Sequence, residues 1–173
     1  MGEAVTSGPV PKSPDRGRGP GRGVIAAWLA AADPHPESVH LAWARQGLAL
    51  LPLGRRFDAI RVPAERVHAA VGGGEPQAVA AFLADWLDGP VIRDVRSAYG
   101  PYYVLIATDA AWRGAEERLS TITLLGVPRL GHPLTTLTRW VVPPSAPGDL
   151  CDPGHLAALL MTAEPLPVRT VAP

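Results

Sequence analysis

The stretch Leu48 to Pro63 constrains this chain most: Leu-Ala-Leu-Leu-Pro-Leu-Gly-Arg-Arg-Phe-Asp-Ala-Ile-Arg-Val-Pro. Two short apolar runs flank a Gly-Arg-Arg turn, and each is the length of a strand rather than a helix. Leu48 to Leu51 holds no polar residue, which predicts a strand buried on both faces. Phe57, Ile60 and Val62 alternate imperfectly with Asp58 and Arg61. Pro63 suits the opening of a helix. Helical patterns stand before and after this unit, so it reads as the first part of a central sheet.

The preceding segment, Met1 to Gly23, reads as a tail. Lys12, Arg16, Arg18 and Arg22 are scattered among Gly and Pro against Glu3 and Asp15. Such a segment buries too little apolar surface to offset the entropy of ordering it. It has no apolar run behind an early positive region, which predicts no signal peptide.

Val24 to Ala32 reads as a short helix that offers Trp28 and Leu29 for burial. Asp33-Pro34-His35-Pro36 ends it, because a residue before proline avoids the helical region. A second helix spans about Pro36 to Gln46, with Pro36 in its first turn and Gly47 as its C-terminal cap. Val39 and Trp43 share one face, with His40 beside them. Pro63 to Val71 reads as a third helix, stopped by Gly72-Gly73-Gly74. Those glycines follow a helix rather than a strand, so they are no nucleotide loop. A longer helix, about Glu75 to Leu87, brings Val79, Phe82, Leu83, Trp86 and Leu87 to helical spacing, and Gly89 stops it.

Pro90 to Val95 and Tyr102 to Thr108 read as strands, the second the strongest and therefore central. Ala110 to Ser120 fits either a short helix or a surface excursion. Thr121 to Val127 and Leu137 to Val142 are further strands. Asp152 caps a last helix, about Pro153 to Ala163. Glu164 to Pro173 holds three prolines and reads as a loose tail. The order predicts one α+β domain over residues 24–163, with a mixed, mostly antiparallel central sheet flanked by helices.

Composition narrows the function. Hydrophobic residues make up 47% of 173, enough for a sizeable core. Formal net charge is +0, so no global field draws the chain to nucleic acid, although a local basic patch is compatible with it. One cysteine, Cys151, cannot form an internal disulfide, which fits a reducing cytoplasm. No apolar run approaches the roughly 18 residues of a membrane span.

Chemistry-bearing patterns are sparse. The five histidines are scattered without ligand spacing, so no zinc site is predicted and no cofactor is evident. Asp109, just past the strongest strand, is the one isolated candidate for a catalytic acid. Cys151 precedes a helix start, where a thiolate is favoured, with His132 and His155 as conceivable bases. Arg55 and Arg56 at the turn, with Arg61 close by in sequence, form the best internal basic cluster.

Leu51 to Pro63, Gly-Pro-Val (Gly89 to Val91), the Tyr-Tyr-Val-Leu-Ile strand and Trp-Val-Val-Pro-Pro (Trp140 to Pro144) resemble bacterial bifunctional DNA primase/polymerase N-terminal-like proteins. The resemblance covers about Trp28 to Leu160 and implies a primase-polymerase-like α+β fold. Active members of that family carry an Asp-x-Asp/Glu pair for two metals, a Ser-x-His element that meets the nucleotide, and a third acid. The acid pair does not occur here. Two carboxylates are needed to hold the metals for in-line phosphoryl transfer. The resemblance therefore implies a catalytically reduced domain that binds nucleic acid or nucleotide through Arg55, Arg56, Arg61, His132 and Arg139. The alternative is a protein-interaction or regulatory module, in which five tryptophans and a charged fraction of only 18% leave an apolar patch for a protein partner. An active metal-dependent nucleotidyltransferase using Asp109 and a divalent metal is the third reading.

Overall fold

Backbone capping sets most element ends. In the computed structural model, which describes residues 20–131 and 137–163, helix α1 (Arg22–Ala30) is followed by α2 (Pro36–Gln46). Gly47 closes α2 in the left-handed region at φ 71, its N–H returned to the Trp43 carbonyl. Strands β1 (Leu48–Pro52) and β2 (Asp58–Val62) lead into α3 (Ala64–Val71) and α4 (Pro76–Leu87). Both Glu75 carboxylate oxygens accept from the first-turn N–H groups of α4, at 3.0 and 2.7 Å. Asp88, not Gly89, adopts the left-handed conformation that ends α4. Gly89 is required for closeness instead: a Cβ there would stand 2.6 Å from the Cys151 backbone nitrogen.

Strands β3 (Val91–Asp94), β4 (Tyr102–Ile106), β5 (Glu117–Leu119), β6 (Leu124–Pro128) and β7 (Thr138–Val142) follow, then α5 (Pro153–Thr162). Asp152 caps α5, its Oδ1 accepting the Gly154 N–H at 2.7 Å. Every strand pairing is antiparallel. The chain is an α+β fold. None of its described helices is long and apolar enough to cross a membrane.

Five strands form one sheet in the order β5-β2-β4-β3-β7, with β4 at its centre, where its unbroken apolar run places it. The Leu48–Pro63 unit departs from expectation. Its two strands do not pair with each other: β1 pairs with β6 in a separate two-stranded ribbon, and β2 enters the large sheet. The Gly-Arg-Arg turn is a crossing between sheets, pinned by Leu53 N–H to the Thr123 carbonyl and Gly54 N–H to the Phe57 carbonyl. Strand β1 is packed fully on one face only: its other face is partly covered, and Leu50 stays 58% exposed. Residues 110–120 form no helix; they end in β5, held to β2 from Ala59 to Arg61. Strand β6 starts three residues later than expected, because Ser120 to Thr123 turn, with Ile122 at φ 70.

Period-two alternation divides the large sheet into two faces. Phe57, Ala59, Ile92 and Leu105 pack against α1, α2 and the inner side of β1, meeting Leu29, Val39, Trp43, Leu51 and Leu53. Ile60, Val62, Val91, Tyr102, Val104 and Ile106 pack on the other face against Val67, Leu83, Leu87, Leu156 and Leu159 of α3, α4 and α5. Each fully buried Leu, Ile or Val contributes about 1.5–3 kcal/mol, so both layers are needed. Of the expected N-terminal tail, Arg22 and Gly23 belong to α1; residues 1–19 and 164–173 lie outside the described residues.

Candidate ligand cleft

Arg61 is the next-to-last residue of β2, so alternation puts it on the same face as Ala59. That face is covered by α1 and α2 only over part of its length. Beyond their reach, the outer side of the β1–β6 ribbon stands opposite it. Between them lies a cavity of about 420 Å³, with Arg61, Asp94, Arg96 and Tyr103 on the sheet side and Leu48, Leu50 and Leu124 on the ribbon side. Arg61 faces Tyr103 across the β2–β4 ladder and Glu117 across the β2–β5 ladder. Two bonds tie sheet to ribbon: the Thr138 hydroxyl donates to the Gly126 carbonyl at 3.1 Å, and Trp140 Nε1–H to the Pro128 carbonyl at 2.9 Å.

The two acidic and basic groups at the end of β3 neutralise each other. Asp94 is buried, and its carboxylate accepts from Arg96 Nε at 3.1 and 3.0 Å, from Arg96 Nη2 at 2.5 Å and from the Arg96 backbone N–H at 2.9 Å. The Arg96 guanidinium holds the Asp94 carboxyl below its ordinary value, against the opposing effect of burial, and Arg61 adds to the lowering. Asp94 in turn raises Arg96. Arg61 has no such partner. Its side chain is exposed and makes no hydrogen bond or ion pair among the described residues, acting on Asp94 only at longer range. The cleft therefore presents one uncommitted cation, one phenol ring and a leucine wall. That combination suits a ligand with an anionic group and a flat or apolar body.

The arginines singled out from sequence do not converge. Arg55 and Arg56 are exposed in the crossing before β2 and do not line the cleft. Arg139 lies on the opposite face of the sheet, directly across from Arg93. Arg93 is itself buried, stacked 4.9 Å over the Tyr102 ring and donating to the Ala98 carbonyl at 2.9 Å. His132 falls outside the described residues. Asp109 is exposed in the turn after β4. Of the described members of the expected set, Arg61 alone lines the cleft.

Asp94, Arg96 and Tyr103 were not anticipated from sequence. The available signal was Asp94-Val95-Arg96 at a strand end, where the i, i+2 spacing lets a carboxylate accept both the backbone and the guanidinium of its neighbour. Tyr103 was visible as part of the central strand, but its facing depends on register.

Two further groups have structural roles. Buried Asp58 accepts from Arg118 Nε at 2.9 Å and from the Ser120 hydroxyl at 2.9 Å. Arg118 also donates to the Thr108 carbonyl at 2.9 Å, fastening the loop after β4 to β5. Cys151 is buried with its thiol against the Pro90 carbonyl at 3.5 Å. Burial, with Asp149 and Asp88 adding to it, pushes that thiol far up, the reverse of an activated nucleophile. The start of α5 does not offset this, which counts against the Cys/His reading; His132 lies outside the described residues. No group of three or more metal-ligating side chains occurs among the described residues. The chain matches no protein-family profile, no curated protein and no solved structure.

Proposed function

We propose that the chain is a catalytically reduced primase/polymerase-like domain that binds nucleic acid or a nucleotide in the cleft between sheet and ribbon. The observation that carries the reading is Arg61: an exposed, unpaired guanidinium beside Tyr103, opposite a wall of leucines. A phosphate would meet Arg61, and a base would lie against Tyr103 or the leucines. The missing Asp-x-Asp/Glu pair argues for binding rather than polymerisation. The test is fluorescence polarisation with single-stranded DNA and with labelled nucleotide at low ionic strength, where phosphate contacts are strongest. Arg61→Ala is expected to weaken binding about tenfold, the loss of one charged hydrogen-bonding contact. No binding by the parent chain, or binding indifferent to Arg61→Ala, rejects the proposal.

A second reading, a protein-interaction module, is favoured by a different observation. Leu50, Ile122 and Leu124 are 58%, 104% and 59% exposed on or beside the ribbon. The apolar patch there is aliphatic, with Trp86 the one tryptophan among the exposed large hydrophobics of the described residues. Light scattering and a pull-down with Leu50→Glu/Leu124→Glu as control distinguish this reading. Association abolished by that variant supports it, and a monomer without a partner counts against it.

A further inference from the structure

A second pocket, independent of the cleft reading, lies between α1, α2 and the segment after β6. Alternation along β1 and β6 sends Ala49, Leu51, Leu125 and Val127 toward α2, and Leu48, Leu50 and Leu124 toward the cleft. The α2 side ends in a pocket of about 350 Å³. Arg22 reaches it from the first turn of α1, His40 from the exposed side of α2, and Arg129 from the segment directly after β6. These three come from parts of the chain far apart in sequence. The fold holds them in place: the Arg129 N–H donates to the Gly47 carbonyl at 2.9 Å, and Trp43 Nε1–H to the Val127 carbonyl at 2.9 Å.

The charge balance is the unusual feature. Two guanidinium groups and an imidazole line this pocket, and none of the lining residues is acidic. None of the three side chains makes a hydrogen bond or ion pair among the described residues. Three arginines elsewhere are answered by a carboxylate: Arg66 by Glu116, Arg96 by Asp94 and Arg118 by Asp58. Arg22 also sits close over the loop; a Cβ on Gly131 would stand 2.5 Å from its Nη1. Trp43, Ala26, Ala44 and Leu130 supply the remaining walls, so the donors ring an apolar floor.

We propose that this pocket is a binding site for a phosphate-class oxyanion, held by Arg22 and Arg129 with His40 as a third donor. Guanidinium groups present planar pairs of N–H donors that match phosphate oxygens, and two on one anion give charge balance that the protein itself lacks there. The pocket has room for more than one phosphate. Its ligand is therefore either a free phosphorylated molecule or the backbone of a nucleic acid.

The test titrates the full chain with inorganic pyrophosphate by calorimetry at low ionic strength, then with a single-stranded DNA oligonucleotide. Saturable pyrophosphate binding is expected, weakened about tenfold or more by either Arg22→Ala or Arg129→Ala. Arg61→Ala is expected to leave it unchanged, which separates this site from the cleft. All three residues are exposed, so the variants keep the fold. A free phosphorylated ligand is indicated if these substitutions weaken pyrophosphate binding alone, and a nucleic-acid backbone if they weaken both. Absence of saturable pyrophosphate binding, or binding lost in Arg61→Ala but retained in either of the other variants, overturns the proposal.

Discussion

Asp94→Asn is the most informative perturbation of the cleft. In the native chain Asp94 cancels the charge of Arg96, so the lining residues present one net positive charge. The amide removes the negative charge and frees the Arg96 guanidinium, raising that to two. A phosphate about 6 Å from the removed charge gains about 0.7 kcal/mol in a water-like dielectric, and about twice that where the walls halve the screening. The expected result is therefore binding of single-stranded DNA about three- to tenfold tighter, from a substitution that removes an ion pair. Its salt dependence should also steepen, because a second cation now displaces counterions. The cost to the fold is small: the Arg96 side chain is 66% exposed, and an Asn oxygen still accepts the Arg96 backbone N–H. The assay is fluorescence polarisation across a salt series, with circular dichroism confirming that the variant is folded. Weaker or unchanged binding by a folded Asp94→Asn chain would refute the assignment of the cleft as an anion site.

The remaining predictions concern the scaffold. Asp58→Ala strands Arg118 against three carbonyls and should cost about 3–5 kcal/mol by denaturant unfolding. Ile122→Gly should stabilise the chain by about 1 kcal/mol, since a fully exposed β-branched residue at φ 70 contributes strain without burial. Cys151 should resist a thiol-specific reagent in the native chain and react on unfolding; fast native reaction would contradict its burial. His68, bonded to the Tyr102 hydroxyl at 2.9 Å, has its pKa lowered by burial and then by Arg93, against Glu65. The unfolded chain then takes up the proton first, so stability should fall as pH drops below about 6.5 toward the folded value. Chemical denaturation of His68→Gln over that range should show a flatter profile.

What could be read in the residues divides along a physical line. Helix ends are decided locally, by Gly47, Asp152 and the prolines, and those were legible. The central position of β4 followed from its uninterrupted apolar run. Sheet membership was not legible, because a hairpin and a crossing look alike when both strands are short and the turn is Gly-Arg-Arg. Only the distant β6 decides that β1 leaves the large sheet. The same non-local step divides the basic cluster: Arg55 and Arg56 stand in the turn before β2 and only Arg61 is carried by the strand into the cleft lining. Arg139 then fell on the far face through its register with Arg93. Conversely, Arg22 and Arg129 are over a hundred residues apart and share one pocket. Proximity in sequence is therefore a poor guide to charge convergence in a β-rich chain. Arg61 in one cavity, and Arg22 and Arg129 together in another, lack a carboxylate partner among the described residues, and that is where an anion should be sought.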